Sequence, residues 1–205
     1  LIMGRTIGRM HAIGATKPFQ HRPRLDCATF GRASVALISE KFIIPEYKAN
    51  YDALTTDLLQ SLDELLADVD NTPFIRTHGD CHAGNVLWRG AAPHFVDFDD
   101  ARSAPAIQDI WMMLSGDRSR QTAQLAEIVE GYNEFYDFRP SELRLVEALR
   151  TLRILHHAGW IARRWDDPAF PRAFPGFDSM RYWSNHILAL REQQSALEEP
   201  VLRVP

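Results

Sequence analysis

Two stretches, THGDCHAGN at 77–85 and HFVDFDDA at 94–101, hold three side chains whose types can do chemistry together: Asp80, Asn85 and Asp97. One amide oxygen and one carboxylate suit a small, hard divalent cation, and magnesium bound by so few protein ligands keeps its other positions for water and phosphate. Asp80 is then left to accept a proton. Two further readings stay open. His78, His82 and His94 with Cys81 have donor types that bind zinc, although adjacent Cys81 and His82 make awkward tetrahedral ligands, and neither C-x-x-C nor H-E-x-x-H occurs. Cys81 beside His82 also pairs a thiol nucleophile with a base, but sequence neighbours rarely reach in-line geometry. His82 reads equally as a loop residue near substrate or phosphate and as packing. A strand period puts Asp97 and Asp99 on one face, where Asp99 helps the metal or bonds the loop, while Asp100 reads as solvated charge.

The elements that must position these groups are short. FIRT at 74–77, NVLWR at 85–89 and HFVDF at 94–98 have strand character, the last two joined through GAAP as a hairpin. Pairing Arg89 with His94 sets Val86 opposite Asp97 and Asn85 opposite Phe98, and a one-residue slip keeps Asn85 and Asp97 neighbours. Gly79 and Gly84 open the loop that turns Asp80 toward the same space.

Helices surround this centre. Ile2, Met3, Thr6, Ile7, Met10 and Ile13 form a helical stripe that stops at Gly14, and the Gly4-x-x-x-Gly8 pair marks close helix packing. Residues 15–45, with prolines at 18, 23 and 45, read as loop with one short helix near 31–41. Leu54, Leu58, Leu62, Leu65, Leu66 and Val69 form one face of a long helix closed by DNTP at 70–73. After the hairpin the chain reads as helical: 105–115, opened by Pro105, then 119–136, 141–164 and 178–197. Leu145, Leu149, Leu152, Leu155 and the 160–161 pair face inward, and Trp111 to Leu114 reads as core. Pro168, Pro171 and Pro175 keep 165–177 irregular. The fold class is α+β, mostly helical.

Composition narrows the partners. At 205 residues the chain suits one domain, and 23 basic against 27 acidic side chains give a net charge of −4, with no field to draw in nucleic acid or an anionic membrane. No apolar run approaches the ~20 residues of a membrane span. Two cysteines suggest a reducing compartment, hence a cytoplasmic protein, and it is expected to be a monomer.

HGDCHAGN followed by HFVDFDDA resembles the catalytic loop and metal-binding strand of the aminoglycoside phosphotransferase and choline kinase group, distant relatives of protein kinases. GRMHAIGATK at 8–17, WMMLSGD at 111–117 and RRWDDPAFP at 163–171 are similar to its bacterial stress response branch. The resemblance implies ATP as co-substrate, Mg2+ as cofactor and transfer of phosphate to a hydroxyl, foremost Ser or Thr of a protein, with a small amino alcohol or aminoglycoside-like acceptor as the alternative. It makes Asp80 the general base, Asn85 a magnesium ligand and Asp97 the carboxylate holding magnesium at the ATP phosphates. His78 then shapes the loop, and Asp109 braces it through the backbone.

The resemblance further implies a protein-kinase-like C-terminal lobe: a helix at 1–14 leading from the inter-lobe region, the catalytic loop and metal-binding hairpin at 74–100, and a helical subdomain at 105–197. No G-x-G-x-x-G or G-x-x-x-x-G-K-[ST] occurs, and none of Lys17, Lys41 and Lys48 lies in a V-A-I-K-like strand. Those parts belong to the group's N-terminal lobe, so the 205 residues alone are expected to bind nucleotide poorly and transfer phosphate very slowly. A pseudokinase or binding module and a metal-dependent hydrolase stand as outside alternatives. Asp166 and Asp167 either meet a cationic acceptor or cap a helix.

Overall fold

In the computed structural model, which describes residues 1–67 and 72–204, the elements run α1 (Ile2–Gly14), α2 (Ala33–Lys41), α3 (Pro45–Ala67), β1 (Ile75–Thr77), β2 (Val86–Arg89), β3 (Ala92–Phe95), β4 (Arg102–Ala104), α4 (Ile107–Trp111), α5 (Arg118–Tyr132), α6 (Val146–Ala162), α7 (Ala169–Ala173) and α8 (Met180–Leu197). Short 3-10 turns cover Ala83–Asn85, Phe98–Asp100 and Pro140–Leu145, and a π turn at Ala28–Arg32 leads into α2. The chain forms two compact units, Leu1–Leu25 with Val69–Val146 and Val201–Pro205, and Asp26–Asp68 with Glu147–Pro200. Among the described residues no helix is long and apolar enough to cross a membrane.

The first unit carries all the chemistry-bearing residues of the opening stretches. Its α1 lies on α5 through glycines: a Cβ added to Gly4 would stand 1.9 Å from the Ile128 carbonyl oxygen, and one added to Gly8 would stand 2.7 Å from that of Tyr132. Backbone meets backbone there, as the Gly4-x-x-x-Gly8 spacing implied. The buried face of α1 is therefore Gly4, Ile7, Gly8, His11 and Gly14. The stripe read from the apolar residues is corrected accordingly, since Ile2 is 39% and Ile13 is 67% exposed. Small residues, which carry little hydropathic signal, set the contact.

Two antiparallel two-stranded sheets follow. β1 pairs with β4 in the register Ile75↔Ala104 and Thr77↔Arg102, and the Thr77 hydroxyl donates to the Arg102 carbonyl at 2.9 Å. β4 was not expected, because a three-residue strand that pairs with a partner distant in sequence leaves no local period. β2 and β3 form the expected hairpin, but with Arg89 opposite Ala92 and Val86 opposite Phe95. The loop is only Gly90-Ala91, with Gly90 at φ 60°, a left-handed conformation that glycine adopts without strain. The register therefore sits two residues from the expected one, and β3 ends at Phe95 instead of running to 98.

In the second unit α3 buries Tyr51, Leu54, Leu58, Leu59 and Leu62. Leu65 and Leu66 are half-buried, and Val69 with the Asp70 and Asn71 of the expected closure lie outside the described residues. Leu149, Leu152, Leu155 and Ile161 of α6 are buried as expected, whereas Trp160 is half-buried. α8 contributes Trp183, Ile187 and Leu190, begins at a Ser179 cap that accepts from the Tyr182 N–H, and is tied to α3 where Arg191 donates to Asn50 Oδ1. The stretch expected to be irregular holds α7. Pro171 is only its third residue, where a missing N–H costs no helical hydrogen bond.

Candidate active site

The loop after β1 begins at His78. Gly79 has φ 84°, and a Cβ there would lie 2.2 Å from the Asp100 carbonyl oxygen, so both conformation and space require glycine. Asp109 of α4, wholly buried, fixes the loop backbone: Oδ2 accepts from the His78 N–H at 2.7 Å and Oδ1 from the Gly79 N–H at 2.9 Å. Gln108 adds a side-chain amide bond to the Gly79 carbonyl at 3.0 Å. Hydrogen bonds to a charged acceptor are worth about 1.5–3 kcal/mol each, which makes this a stiff anchor for the residue that follows, Asp80.

Asp80 Oδ2 accepts from Asn85 Nδ2 at 3.2 Å and lies 3.3 Å from His82 Nε2. Asn85 Nδ2 also donates to the Asp80 carbonyl at 3.0 Å. Both bonds use the nitrogen of the Asn85 amide, so its oxygen is not spent on Asp80. His82 Nδ1 accepts the Gly84 N–H at 3.0 Å, which places the ring proton on Nε2, toward Asp80. His78 spans loop and hairpin: Nε2 donates to the Val96 carbonyl at 2.9 Å, and Nδ1 accepts the Asp80 N–H at 3.3 Å. Its ring lies 4.5 Å from that of Phe98.

The hairpin brings Asp97 to the same end. The Val96 N–H donates to the Asn85 carbonyl at 3.0 Å, one residue before Asp97, which at φ 65° and ψ 67° is the single non-glycine residue with positive φ among the described residues. An L-residue pays about 1–2 kcal/mol for that conformation, aspartate among the least, and such outliers gather at functional sites. Its exposed carboxylate makes no hydrogen bond or ion pair among the described residues. An amide oxygen and an unengaged carboxylate are hard oxygen donors, so Asn85 and Asp97 fit a magnesium ion.

Other expectations are revised. Asp97 and Asp99 do not share a strand face, because Asp97 is left-handed and Phe98–Asp100 is a 3-10 turn. Asp99 is exposed, and its carbonyl accepts from Arg22. Asp100, read as solvated charge, accepts from Arg102 Nη2 at 2.7 Å. Both ring nitrogens of His78 are engaged, and His94 lies on β3 opposite Leu87. Among the described residues no three His, Cys, Asp or Glu side chains group to hold a metal, which leaves the zinc cage without ligands. Cys81 is wholly buried, and burial pushes its thiol well above the usual range, so it is no ready nucleophile. Asp167 caps α7 by accepting the Ala169 N–H.

Four buried residues went unnoticed in the sequence. His11 Nε2 meets Asp109 Oδ2 at 2.9 Å and its Nδ1 meets the Tyr132 hydroxyl at 2.7 Å. Gln108 holds Gly79, and Glu142, its pKa raised by burial, accepts the Ile107 N–H at 2.9 Å. The available signal was position: His11 stands one turn after Ile7 on the buried side of α1, and a buried polar group needs a partner.

Comparison with known proteins follows the same lines. Residues 2–146 match the family described as Phosphotransferase enzyme family. Stress response kinase A of Escherichia coli (strain K12) is 41% identical over 207 residues, covering 98% of this chain and 61% of that protein. The Serine/threonine protein kinase RdoA of Salmonella typhimurium (strain LT2) is 41% identical with the same coverage, so the chain spans about three fifths of the length of the curated relatives it matches. Among solved structures, Amicoumacin kinase hAmiN in complex with AMP-PNP, Ca2+ and Ami shares the fold at a TM-score of 0.62 and 18% identity, over 94% of this chain and 58% of that one.

Proposed function

The chain belongs to the phosphotransferase enzyme family, and we propose that it supplies the catalytic loop and metal-binding residues of an ATP- and magnesium-dependent kinase that phosphorylates Ser or Thr on a protein. Asp80 accepts the proton of the attacking hydroxyl. Asn85 and Asp97 would hold Mg2+, which when bound neutralises charge on the phosphates. His82 and Asn85 orient the Asp80 carboxylate, His78 joins the loop to the hairpin, and Asp109 keeps the loop backbone in place. The whole of Leu1–Pro205 is proposed to be the C-terminal lobe of that kinase, with the 74–100 segment as its catalytic part. Action in the cytoplasm accords with two free, buried cysteines.

The observation that carries this reading is the Asp80 carboxylate, held by Asn85 and His82 on a loop whose two preceding N–H groups end on buried Asp109. Such an arrangement positions a base without a nucleophile of its own, which is what phosphoryl transfer asks for. The protein acceptor and stress role rest on the names of the two curated relatives.

The test is a magnesium titration of ATP-dependent phosphorylation in the native-length protein, with a Ser/Thr protein acceptor and an amino alcohol run in parallel. Asp97→Asn is expected to shift the magnesium requirement upward by at least about tenfold. An unchanged titration curve would remove Asp97 from the metal site, and turnover of the amino alcohol alone would move the acceptor to the small-molecule class.

A further inference from the structure

We propose that Arg102 is a positioning residue for the turn that carries Asp97, and that Arg22 supports the same turn from a separate segment. The proposal rests on the reading of Asp97 as a magnesium ligand given above.

Asp97 stands at φ 65°, a conformation that costs an L-residue free energy and is fixed here through the backbone on either side. Before it, the Val96 N–H donates to the Asn85 carbonyl and the Val96 carbonyl accepts from His78. After it comes the 3-10 turn Phe98–Asp100, closed by the Ala101 N–H on the Phe98 carbonyl at 3.1 Å. A turn of this kind leaves its last carbonyls without partners of its own. Two guanidinium groups take two successive ones: Arg22 Nη1 donates to the Asp99 carbonyl, and Arg102 Nε to that of Asp100 at 2.7 Å. Arg102 Nη2 also donates to Asp100 Oδ1 at 2.7 Å, so one planar fork fixes both the backbone and the side chain of the residue that ends the turn.

The same fork sets the turn against the catalytic loop. A Cβ on Gly79 would lie 2.2 Å from the Asp100 carbonyl oxygen and 2.9 Å from Arg102 Nε, so the loop backbone one residue before Asp80 rests on this pair. Arg102 opens β4 opposite Thr77, and its own carbonyl accepts the Thr77 hydroxyl. Asp80 and Asp97 thus take their spacing from an arginine anchored in the sheet. It is 6% exposed, and water competes little for its bonds. Arg22 is exposed and holds less, but the segment behind it is tied to β4: the Ser103 N–H donates to the Pro23 carbonyl at 3.0 Å, and the Leu25 N–H to the Ser103 carbonyl at 2.9 Å. The Arg24 guanidinium lies 3.4 Å from the centre of the Phe74 ring. A salt bridge kept only for charge would need no donor aimed at a main-chain carbonyl.

Two readouts in the native-length protein test this. The magnesium titration of ATP-dependent phosphorylation reports the loaded site, and backbone amide hydrogen exchange over 97–101, without metal or nucleotide, reports the turn itself. Arg102→Met keeps an apolar stem and removes every donor. It is expected to raise the magnesium requirement about 10- to 100-fold and to speed exchange over 97–101. Arg102→Lys, with the charge but not the fork, falls between it and wild type. Leu125→Val, a packing loss on buried α5, is expected to lower the melting temperature and leave both readouts unchanged. Should Arg102→Met fail to fold, Arg22→Met at its exposed position carries the test, with an expected rise of about threefold and faster exchange. Unchanged exchange in the arginine variant, or an equal change in Leu125→Val, overturns the proposal. Faster exchange with an unchanged magnesium requirement also overturns it if Asp97→Asn does shift that requirement. If Asp97→Asn leaves it unchanged as well, the metal reading has failed while the hold on the turn stands.

Discussion

Replacing Gly4 by alanine sets two effects of opposite sign against each other. In a helix interior alanine is favoured over glycine by about 0.5–1 kcal/mol, so propensity alone makes Gly4→Ala stabilising. The new Cβ would stand 1.9 Å from the Ile128 carbonyl oxygen, about 1.5 Å inside ordinary contact, and the obstructing atoms, the Ile128 carbonyl and the Tyr132 nitrogen, are all backbone. No rotamer change relieves that clash, and α1 must move off α5. Overpacking of this kind costs about 1–3 kcal/mol and at times more, and the shift also loosens Ile7 and His11 on the same face. The packing effect wins, giving net destabilisation of about 1–2 kcal/mol. Urea unfolding of the two proteins checks the sign, with parallel slopes as evidence that the unfolded states match. A variant as stable as wild type, or more so, would show that α1 does not seat on α5 through these glycines, and with it would go the geometry that delivers His11.

Asp109→Asn leaves one acceptor where two backbone N–H groups and His11 converge, and turns an amide N–H₂ toward a donor. A loss of about 2–4 kcal/mol in unfolding free energy, with kcat reduced by at least tenfold, is expected, and a change under about 0.5 kcal/mol would show that the loop is held by other means. Acid sensitivity should come from the second unit: burial first and His157 second lower the His186 pKa from 6.5 to about 4. The unfolded chain takes up a proton in that interval and the folded chain does not. Stability from neutral His186 is thus full above pH 6.5 and falls as pH drops toward 4, by at most about 3 kcal/mol. His186→Phe should flatten this part of the stability curve, and an identical acid limb in the variant would place the sensitivity elsewhere.

How far these features were legible follows from their range in the chain. The long helix of Leu54, Leu58 and Leu62 and the bases of the hairpin depend on local periods and turn residues, and both were readable. The hairpin register was not, because Gly90-Ala91 and a longer GAAP loop are equally acceptable locally and tertiary packing chooses between them. β4 and the His11–Asp109–Tyr132 chain depend on partners far along the sequence, up to 121 residues apart. The Gly4-x-x-x-Gly8 spacing announced close packing but not its partner, and His11 stayed hidden among apolar neighbours. Asp80, Asn85 and Asp97 were singled out because their types suit one chemistry together, and the structure sets Asn85 Nδ2 3.2 Å from Asp80 Oδ2, with Asp97 one residue past the Val96 N–H bond to the Asn85 carbonyl. The strand face assigned to Asp97 and Asp99 was wrong, since a left-handed residue leaves no trace in a period-two pattern.

The central claim is that Asp80 takes the proton of a hydroxyl during phosphoryl transfer, and Asp80→Asn in the native-length protein tests it most directly. Asparagine keeps the size of the side chain and an acceptor oxygen for Asn85 and His82 but cannot take the proton. The account predicts kcat lower by about 10²- to 10⁴-fold, with ATP affinity and melting temperature near those of wild type. Phosphate transfer by Asp80→Asn at the wild-type rate would contradict it.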